Sequence, residues 1–261
     1  MVKELRVVII EDDPYARDMM SMLLTRDWRT RVVAEYGSNA EAELKQLFAK
    51  PANPVDVILI DTEVPADPRW VSRASQIALS QSHPPVIIYT CTKPDAGQLE
   101  HLQTQQLGGY LVKGEILYAL VTAISEAVKG HTVITPGVQQ LGTHFNFSKP
   151  VVVLDGRVPV THFTRRENDL VRLGILFNLA QRDIADELVV STDFISEVMG
   201  QVYEKLGLHD ILSGECLLET YFEDETVLSR CRAVLTRASS VSGEKGIRKA
   251  PWMSTIAFHL L

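Results

Sequence analysis

Apolar positions recur on two different periods along the chain, and the change of period divides it. From residue 5 to about 129, short continuous apolar runs return at LRVVII (5–10), RVVAEY (31–36), VDVILID (55–61), PVIIYT (85–90) and GGYLVK (108–113). Between them lie stretches with helical spacing: PYARDMMSMLLTRD (14–27), NAEAELKQLFAK (39–50) and GEILYALVTAISEAVK (114–129). Strands that are apolar throughout and alternate with helices belong to a parallel sheet covered on both faces. Five such units predict a doubly wound α/β domain over residues 1–129, with a five-stranded parallel sheet. Ligands of such a domain bind at the carboxyl ends of the strands.

Those ends carry chemistry. Glu11 and Asp12, followed by Asp13, close the first run; Asp61 closes the third, Thr90 the fourth and Lys113 the fifth. The first and third strands are neighbours in this topology, so their carboxylates converge. Clustered carboxylates repel one another and invite a hard divalent cation with oxygen ligands, Mg²⁺. The cation would bridge to a phosphoryl group on one carboxylate, and the lysine and the hydroxyl can hold the remaining phosphoryl oxygens. One such residue at one strand end is an ordinary turn or cap. Four ends, each with a suitable group, form a set.

The stretches VVIIEDDP, DVILIDTEVP, VIIYTCT and GGYLVKG resemble the receiver domain of two-component response regulators. The resemblance implies that Asp61 accepts a phosphoryl group from a histidine kinase or phosphotransfer protein. It implies that Glu11, Asp12 and Asp61 bind Mg²⁺ together with the backbone carbonyl of Glu63. Lys113 would pair with the phosphoryl group and Asp61, Thr90 would hydrogen-bond the phosphoryl group, and Tyr110 occupies the aromatic switch position. Two departures stand out. Cys91 replaces the small residue usual after Thr90, and the loop TEVPADPRW keeps the family's proline without its usual glycine. Cys91 reads as a packed thiol rather than a redox sensor.

Residues 130–160 change character. KGHTVITPGVQQLGTHFNFSKP (129–150) is rich in Gly, Pro, Thr and Ser without a sustained period, and reads as a linker. VVVLDGRVPV (151–160) places Asp155-Gly156 between two apolar runs, a hairpin signal, with Pro159 marking the second run as an edge.

Residues 161–222 predict a small all-α module. Thr164-x-x-Glu167 is a capping box that starts a helix. Arg182 to Leu188 forms a second short helix and residues 189–192 a turn. Ile195, Val198, Met199, Val202 and Leu206 give residues 193–206 one buried stripe, with Gly207 as the stop and residues 211–222 as a fourth helix. This is the outline of a helix-turn-helix. FTRRENDLVRL, RDIADELVVS and YEKLGLHD resemble the LuxR-type output domain of response regulators. LDGRVPVTHFT also resembles the entry hairpin of the winged-helix output class, but no strand pair for a wing follows residue 210.

Charge complicates that resemblance. The family's third helix opens on a Thr-Val-Lys-x-His pattern, and here Ser196 stands for the lysine and Val198 for the histidine. Residues 162–222 hold five Lys and Arg against eleven Asp and Glu, a net of −6 within a chain of net −7. DNA carries about one negative charge per 1.7 Å of helix axis. Long-range electrostatics therefore oppose binding, and contacts fall to Arg165, Arg166, Arg182, Ser191, Ser196, Gln201 and Lys205. The rival is a protein-binding output that presents Phe194, Val198 and Tyr203 as an exposed surface.

Residues 223–261 extend beyond the family domain. DETVLSRCRAVLTRASS (224–240) predicts an added helix, with Arg230, Arg232 and Arg237 as a possible basic face. SGEKGIRKAPW (242–252) reads as a loop, and MSTIAFHLL is apolar enough to dock. The 261 residues suit two domains. No run approaches the ~20 apolar residues of a membrane helix, the opening MVKELRVVIIEDD lacks a signal-peptide core, and three scattered cysteines form no framework. These features predict a cytoplasmic protein with no membrane partner. No separate nucleophile or substrate pocket is visible, so the chain reads as a regulator, a homodimer on DNA, rather than an enzyme.

Overall fold

The computed structural model describes residues 4–37, 40–49, 55–63, 69–103, 107–142, 147–157, 163–214, 216–241 and 250–261. They fall into two compact units, Glu4–Val158 and Pro159–Leu261.

The first unit begins β1 (Leu5–Ile10), α1 (Pro14–Arg26), β2 (Thr30–Tyr36), α2 (Ala40–Phe48) and β3 (Val57–Asp61). It continues with α3 (Trp70–Leu79), β4 (Val86–Cys91), α4 (Ala96–Gln103), β5 (Gly109–Val112), α5 (Lys113–Ile116) and α6 (Leu120–Val128). The five expected strands and the helices at 14–27 and 39–50 are present, while the helix expected over 114–129 is broken into α5 and α6 by a 3₁₀ turn at Leu117–Ala119. Every residue of β3 and β5 is buried, as the unbroken apolar runs require. Val8, Ile10, Ile58, Ile60, Ile87 and Tyr89 form the centre of the core against α2, α3 and α4. Burying each aliphatic side chain of this size contributes about 1.5–3 kcal/mol.

Among the described residues the sheet has seven strands, not five, in the order β2-β1-β3-β4-β5-β6-β7 and parallel throughout. One strand lies where a linker was expected, β6 (Thr132–Ile134), followed by the short α7 (Pro136–Gln139); β7 (Val151–Val153) is the first run of the expected hairpin, paired here in parallel with β6. Their backbone explains the difference. Val133 N–H donates to Gly108 O at 3.0 Å, Thr132 N–H to Pro150 O at 2.8 Å and Leu154 N–H to Ile134 O at 2.9 Å. Thr135 Oγ1 accepts from Val112 N–H at 3.0 Å, so a side chain finishes the ladder where the strand ends. Three-residue strands pair here because neighbours in space, not a local period, satisfy their amides.

The Asp155-Gly156 signal is also put to a different use. β7 pairs in parallel with β6, so this pair does not turn an antiparallel hairpin back on it. The second run of that hairpin, residues 158–160, lies outside the described residues. Gly156 is buried against α5: its N–H donates to Glu115 O at 2.6 Å, and its carbonyl accepts from Tyr118 N–H at 3.1 Å. A Cβ at this position would sit 2.2 Å from Ile116 O, so only glycine allows the approach.

The second unit holds α8 (Arg165–Leu170), a π-helical turn (Val171–Leu176), α9 (Gln181–Leu188), α10 (Thr192–Lys205) and α11 (Leu208–Ser213). The capping box forms: Thr164 Oγ1 accepts from Glu167 N–H, and Glu167 Oε2 accepts from Thr164 N–H. Ile195, Val198, Met199 and Val202 of α10 are buried, as the stripe predicted. Gly207 takes φ 71°, the left-handed stop expected there. Val189, in the turn between α9 and α10, also has a positive φ of 53° although it is β-branched. The fourth helix differs from expectation: α11 covers only Leu208–Ser213 and stops at Gly214, φ 74°, before a short 3₁₀ turn at Leu218–Thr220.

The added helix is α12 (Glu225–Val241), which buries Val227, Leu228 and Cys231. Residues 242–249 of the expected loop lie outside the described residues, while the remainder belongs to α13 (Ala250–Phe258). The apolar end docks as its composition predicts: Ile256 and Ala257 are buried, and Ser254 Oγ is 2.8 Å from Asn178 Oδ1. Among the described residues no helix is long and apolar enough to cross a membrane.

Candidate functional site

The carboxyl edge of the sheet gathers the charged strand ends. Register sets the convergence: Ile10 of β1 pairs with Ile60 of β3, and Asp61 of β3 pairs with Thr90 of β4. Each chain then leaves its strand at the same level. Asp13, third in the acidic run, serves as the N-cap of α1, its side chain accepting from Tyr15 N–H at 2.8 Å. That leaves Glu11 and Asp12 for the edge. Carboxylate oxygens of Glu11, Asp12 and Asp61 lie within 4.8 Å of one another. This is a compact set of hard oxygen donors, the chemistry that a divalent cation fits.

Lys113 is the first residue of α5 and reaches into this set. Its Nζ lies 2.7 Å from Glu11 Oε2 and 3.1 Å from Asp61 Oδ1. Glu11 is fully buried and Asp61 almost so. Burial raises the Glu11 carboxyl to about 7, and the Asp61 charge adds to this, while the Lys113 ammonium opposes it. Burial likewise raises Asp61, with Lys113 again opposing. Burial would lower Lys113, but its two carboxylates outweigh that and raise it. Glu63 N–H donates to Asp61 Oδ1 at 3.3 Å. The Glu63 side chain faces another loop, its carboxylate accepting from Thr92 N–H at 2.8 Å and Lys93 N–H at 3.1 Å.

Thr90 and Tyr110 complete the edge. Thr90 is buried, and its Oγ1 has no hydrogen-bond partner among the described residues. A buried hydroxyl left unpaired is uncommon and costs stability. Tyr110 is fully buried, and its hydroxyl donates to Gln98 Oε1 at 3.0 Å and accepts from Asp95 N–H at 3.4 Å. Cys91 is a packed thiol: it is buried, its Sγ lies 3.7 Å from Leu111 O, and burial pushes it up to about 12. Sequence reasoning did not single out Gln98, because a glutamine in the first turn of a helix carries no distinguishing pattern.

The residues assigned to DNA in the second unit divide into engaged and open groups. Lys205 Nζ is 2.8 Å from the buried carboxylate of Glu167. Ser191 caps α10 by accepting from Phe194 N–H at 3.2 Å. Ser196 Oγ donates to Gln181 Oε1 at 3.0 Å. The Arg166 guanidinium lies over the Phe194 ring at 5.3 Å. Arg165, Arg182 and Gln201 are exposed. On α12, Arg232 pairs with Glu219. Of the apolar residues a protein-binding surface would have presented, Val198 is buried, and Phe194 and Tyr203 are half-buried.

No family model matches the chain. Among curated relatives, the oxygen regulatory protein NreC of Staphylococcus aureus strain JH9 is 26% identical over 205 residues, covering 78% of this chain and 92% of the relative. The same protein of strain Mu3 gives the same figures. Among solved structures, the RcsB response regulator of Salmonella typhimurium covers 79% of this chain and 93% of its own, at 19% identity and a TM-score of 0.46. The response regulator ChrA covers 78% and 90%, at 21% identity and a TM-score of 0.41. Over most of its length the chain is similar to an oxygen regulatory protein and to response regulators.

Proposed function

We propose that this chain is a phosphorylation-controlled response regulator of a two-component system, and that it regulates transcription through its helix-turn-helix module. The observation that carries the reading is Lys113 Nζ seated between Glu11 and Asp61, with the unpaired Thr90 hydroxyl on the adjoining strand.

Asp61 is the phosphoacceptor. One of its carboxylate oxygens forms a bond to phosphorus as the N–P bond of a kinase phosphohistidine breaks, and the electron pair returns to the imidazole. Glu11, Asp12, Asp61 and the backbone carbonyl of Glu63 would hold Mg²⁺, whose charge offsets that of the phosphoryl oxygens. Lys113 then exchanges part of its ion pair with Asp61 for a phosphoryl oxygen. Thr90 Oγ1, lacking a partner beforehand, donates to another. Tyr110 reports that change to the last strands and helices.

In the second unit, Arg165, Arg166, Arg182, Ser191, Ser196 and Gln201 are the residues to face DNA. Lys205 was assigned to the same surface, and its ion pair with Glu167 reduces the charge it can offer a phosphate. The module's net of −6 makes phosphorylation-driven pairing of two copies the means of gathering enough contacts. Protein binding in place of DNA is the less favoured reading, since Val198 lies in the module's core.

Incubation with a small phosphodonor such as acetyl phosphate and Mg²⁺ tests the site. The protein should take up one acyl phosphate, and Asp61→Asn should take up none. Label persisting on Asp61→Asn would sink the assignment. Fluorescence anisotropy on genomic DNA fragments, titrated with salt, tests the output. Saturable binding that weakens as salt rises supports transcription control; no binding at low salt in either phosphorylation state rejects it.

A further inference from the structure

Gln98 makes two contacts that join parts of the receiver edge otherwise separate in sequence. It lies in the first turn of α4, with its own N–H donating to Asp95 Oδ1 at 2.7 Å. Its Oε1 accepts from the Tyr110 hydroxyl at 3.0 Å, and its Nε2 donates to Thr62 O at 3.4 Å. The reverse orientation of the amide would set oxygen against the Thr62 carbonyl, two acceptors face to face.

Both partners sit at decisive places. Thr62 follows Asp61 directly, and its N–H and hydroxyl both donate to Thr90 O, at 2.9 Å and 3.2 Å. Tyr110 is on β5, three residues before Lys113, and is fully buried. One amide therefore spans the loop after Asp61, helix α4 and the buried tyrosine. The chemistry needs this side chain. A carboxylate keeps the acceptor but loses the donor, and a thioether loses the donor and keeps only a weak acceptor.

We propose that Gln98 is a positioning residue, a latch that keeps Tyr110 buried and ties it to the Thr62 carbonyl, so that movement of the loop after Asp61 is passed to Tyr110 and α4. The proposal rests on Asp61 as phosphoacceptor for the moving part; the burial of Tyr110 does not. Withdrawing the latch removes the acceptor of the Tyr110 O–H and leaves the longer bond from Asp95 N–H, and a buried donor deprived of its acceptor gains from reaching water. A net hydrogen bond's usual worth shifts the buried-to-exposed ratio of Tyr110 about five-fold.

Fluorine NMR of fluorotyrosine-labelled full-length protein, with the Tyr110 signal assigned by Tyr110→Phe, reads that ratio. Wild type should show one buried Tyr110 signal. Gln98→Met should add an exposed signal without phosphodonor present. Gln98→Glu should keep Tyr110 buried through its remaining acceptor, accept phosphate at Asp61, and show a smaller Tyr110 shift on phosphorylation than wild type. An unchanged Tyr110 signal in Gln98→Met, or a full wild-type shift in Gln98→Glu, would overturn the latch. Should Gln98→Met fail to fold, the Gln98→Glu comparison decides. Failure of wild type to take up phosphate would instead reject the phosphoacceptor reading, while the Gln98→Met signal still decides whether the latch holds Tyr110.

Discussion

The ammonium of Lys205, at the end of α10, lies 2.8 Å from the carboxylate of Glu167, in the first turn of α8. Glu167 is also the return arm of the capping box, so one buried carboxylate both starts α8 and fastens α10 to it. Burial would raise the Glu167 carboxyl, but Lys205 and the Thr164 N–H outweigh it and hold it below its ordinary value. A depressed carboxyl adds stability above its unfolded pKa, about 4.3, and loses it as pH falls through the lower folded value. Lys205→Met should therefore destabilise the second unit by about 1–2 kcal/mol at neutral pH, the cost of stranding a mostly buried carboxylate. Urea unfolding of the two proteins should show that gap closing at acid pH, once Glu167 is protonated in both.

Gly156, in the turn after β7 and packed against α5, and Gly114, inside α5, make a controlled pair. A Cβ at Gly156 meets the Ile116 carbonyl oxygen at 2.2 Å and Ala119 N at 2.8 Å, whereas a Cβ at Gly114 meets nothing within 4 Å. Gly156→Ala should destabilise the first unit by about 2–3 kcal/mol, since backbone cannot move aside as a flexible side chain does. Gly114→Ala, inside α5, should be neutral or stabilise by up to about 1 kcal/mol. Thermal unfolding of the three proteins measures both.

The contrast between these glycines also marks the limit of what the sequence discloses. The runs VDVILID and PVIIYT announced β3 and β4, because a strand buried on both faces must be apolar at every position. Glu11, Asp61, Thr90 and Lys113 were legible for the same reason: each follows such a run, so its place at the edge was already given. The strand TVI was not, being three residues long in a Pro- and Gly-rich segment, and VVV was legible as an apolar run but not as a parallel partner of TVI, from which it is distant in the chain. Asp155-Gly156 carried a true signal with the wrong meaning, since close approach and a tight turn both ask for glycine. Gln98 was invisible because its role depends on Thr62 and Tyr110 reaching the same point.

Under the proposed function, the Thr90 hydroxyl sets function against stability. It is buried without a partner among the described residues, which costs folding energy in the absence of a phosphoryl group. Thr90→Val keeps the shape and removes the unpaired oxygen. It should raise the stability of the first unit by about 1 kcal/mol. The same change should weaken the response to phosphodonor, read as the loss of any phosphorylation-dependent change in self-association. Thr90→Ser should keep the response.

The three thiols should separate cleanly. Cys91 and Cys231 are buried and burial pushes each up to about 12, whereas Cys216 is exposed. Thiolate, not thiol, is the reacting species. Titration of the native protein with a thiol reagent at neutral pH should show one fast-reacting group, lost in Cys216→Ser, and the other two only after denaturant is added. A fast reaction at Cys91 would contradict the packing described for it.

The strand order carries a consequence for how the first unit is made. After β3 joins β1, every later strand is laid beside the one before it, β4 through β7, so the sheet grows outward in the direction of synthesis. Each half-finished sheet exposes a fresh edge, and open edges recruit stray strands. Among the described residues, growth ends on two strands of only three residues, β6 and β7. A final edge so short gives a second chain little to pair with, so the sheet finishes by limiting its own extension.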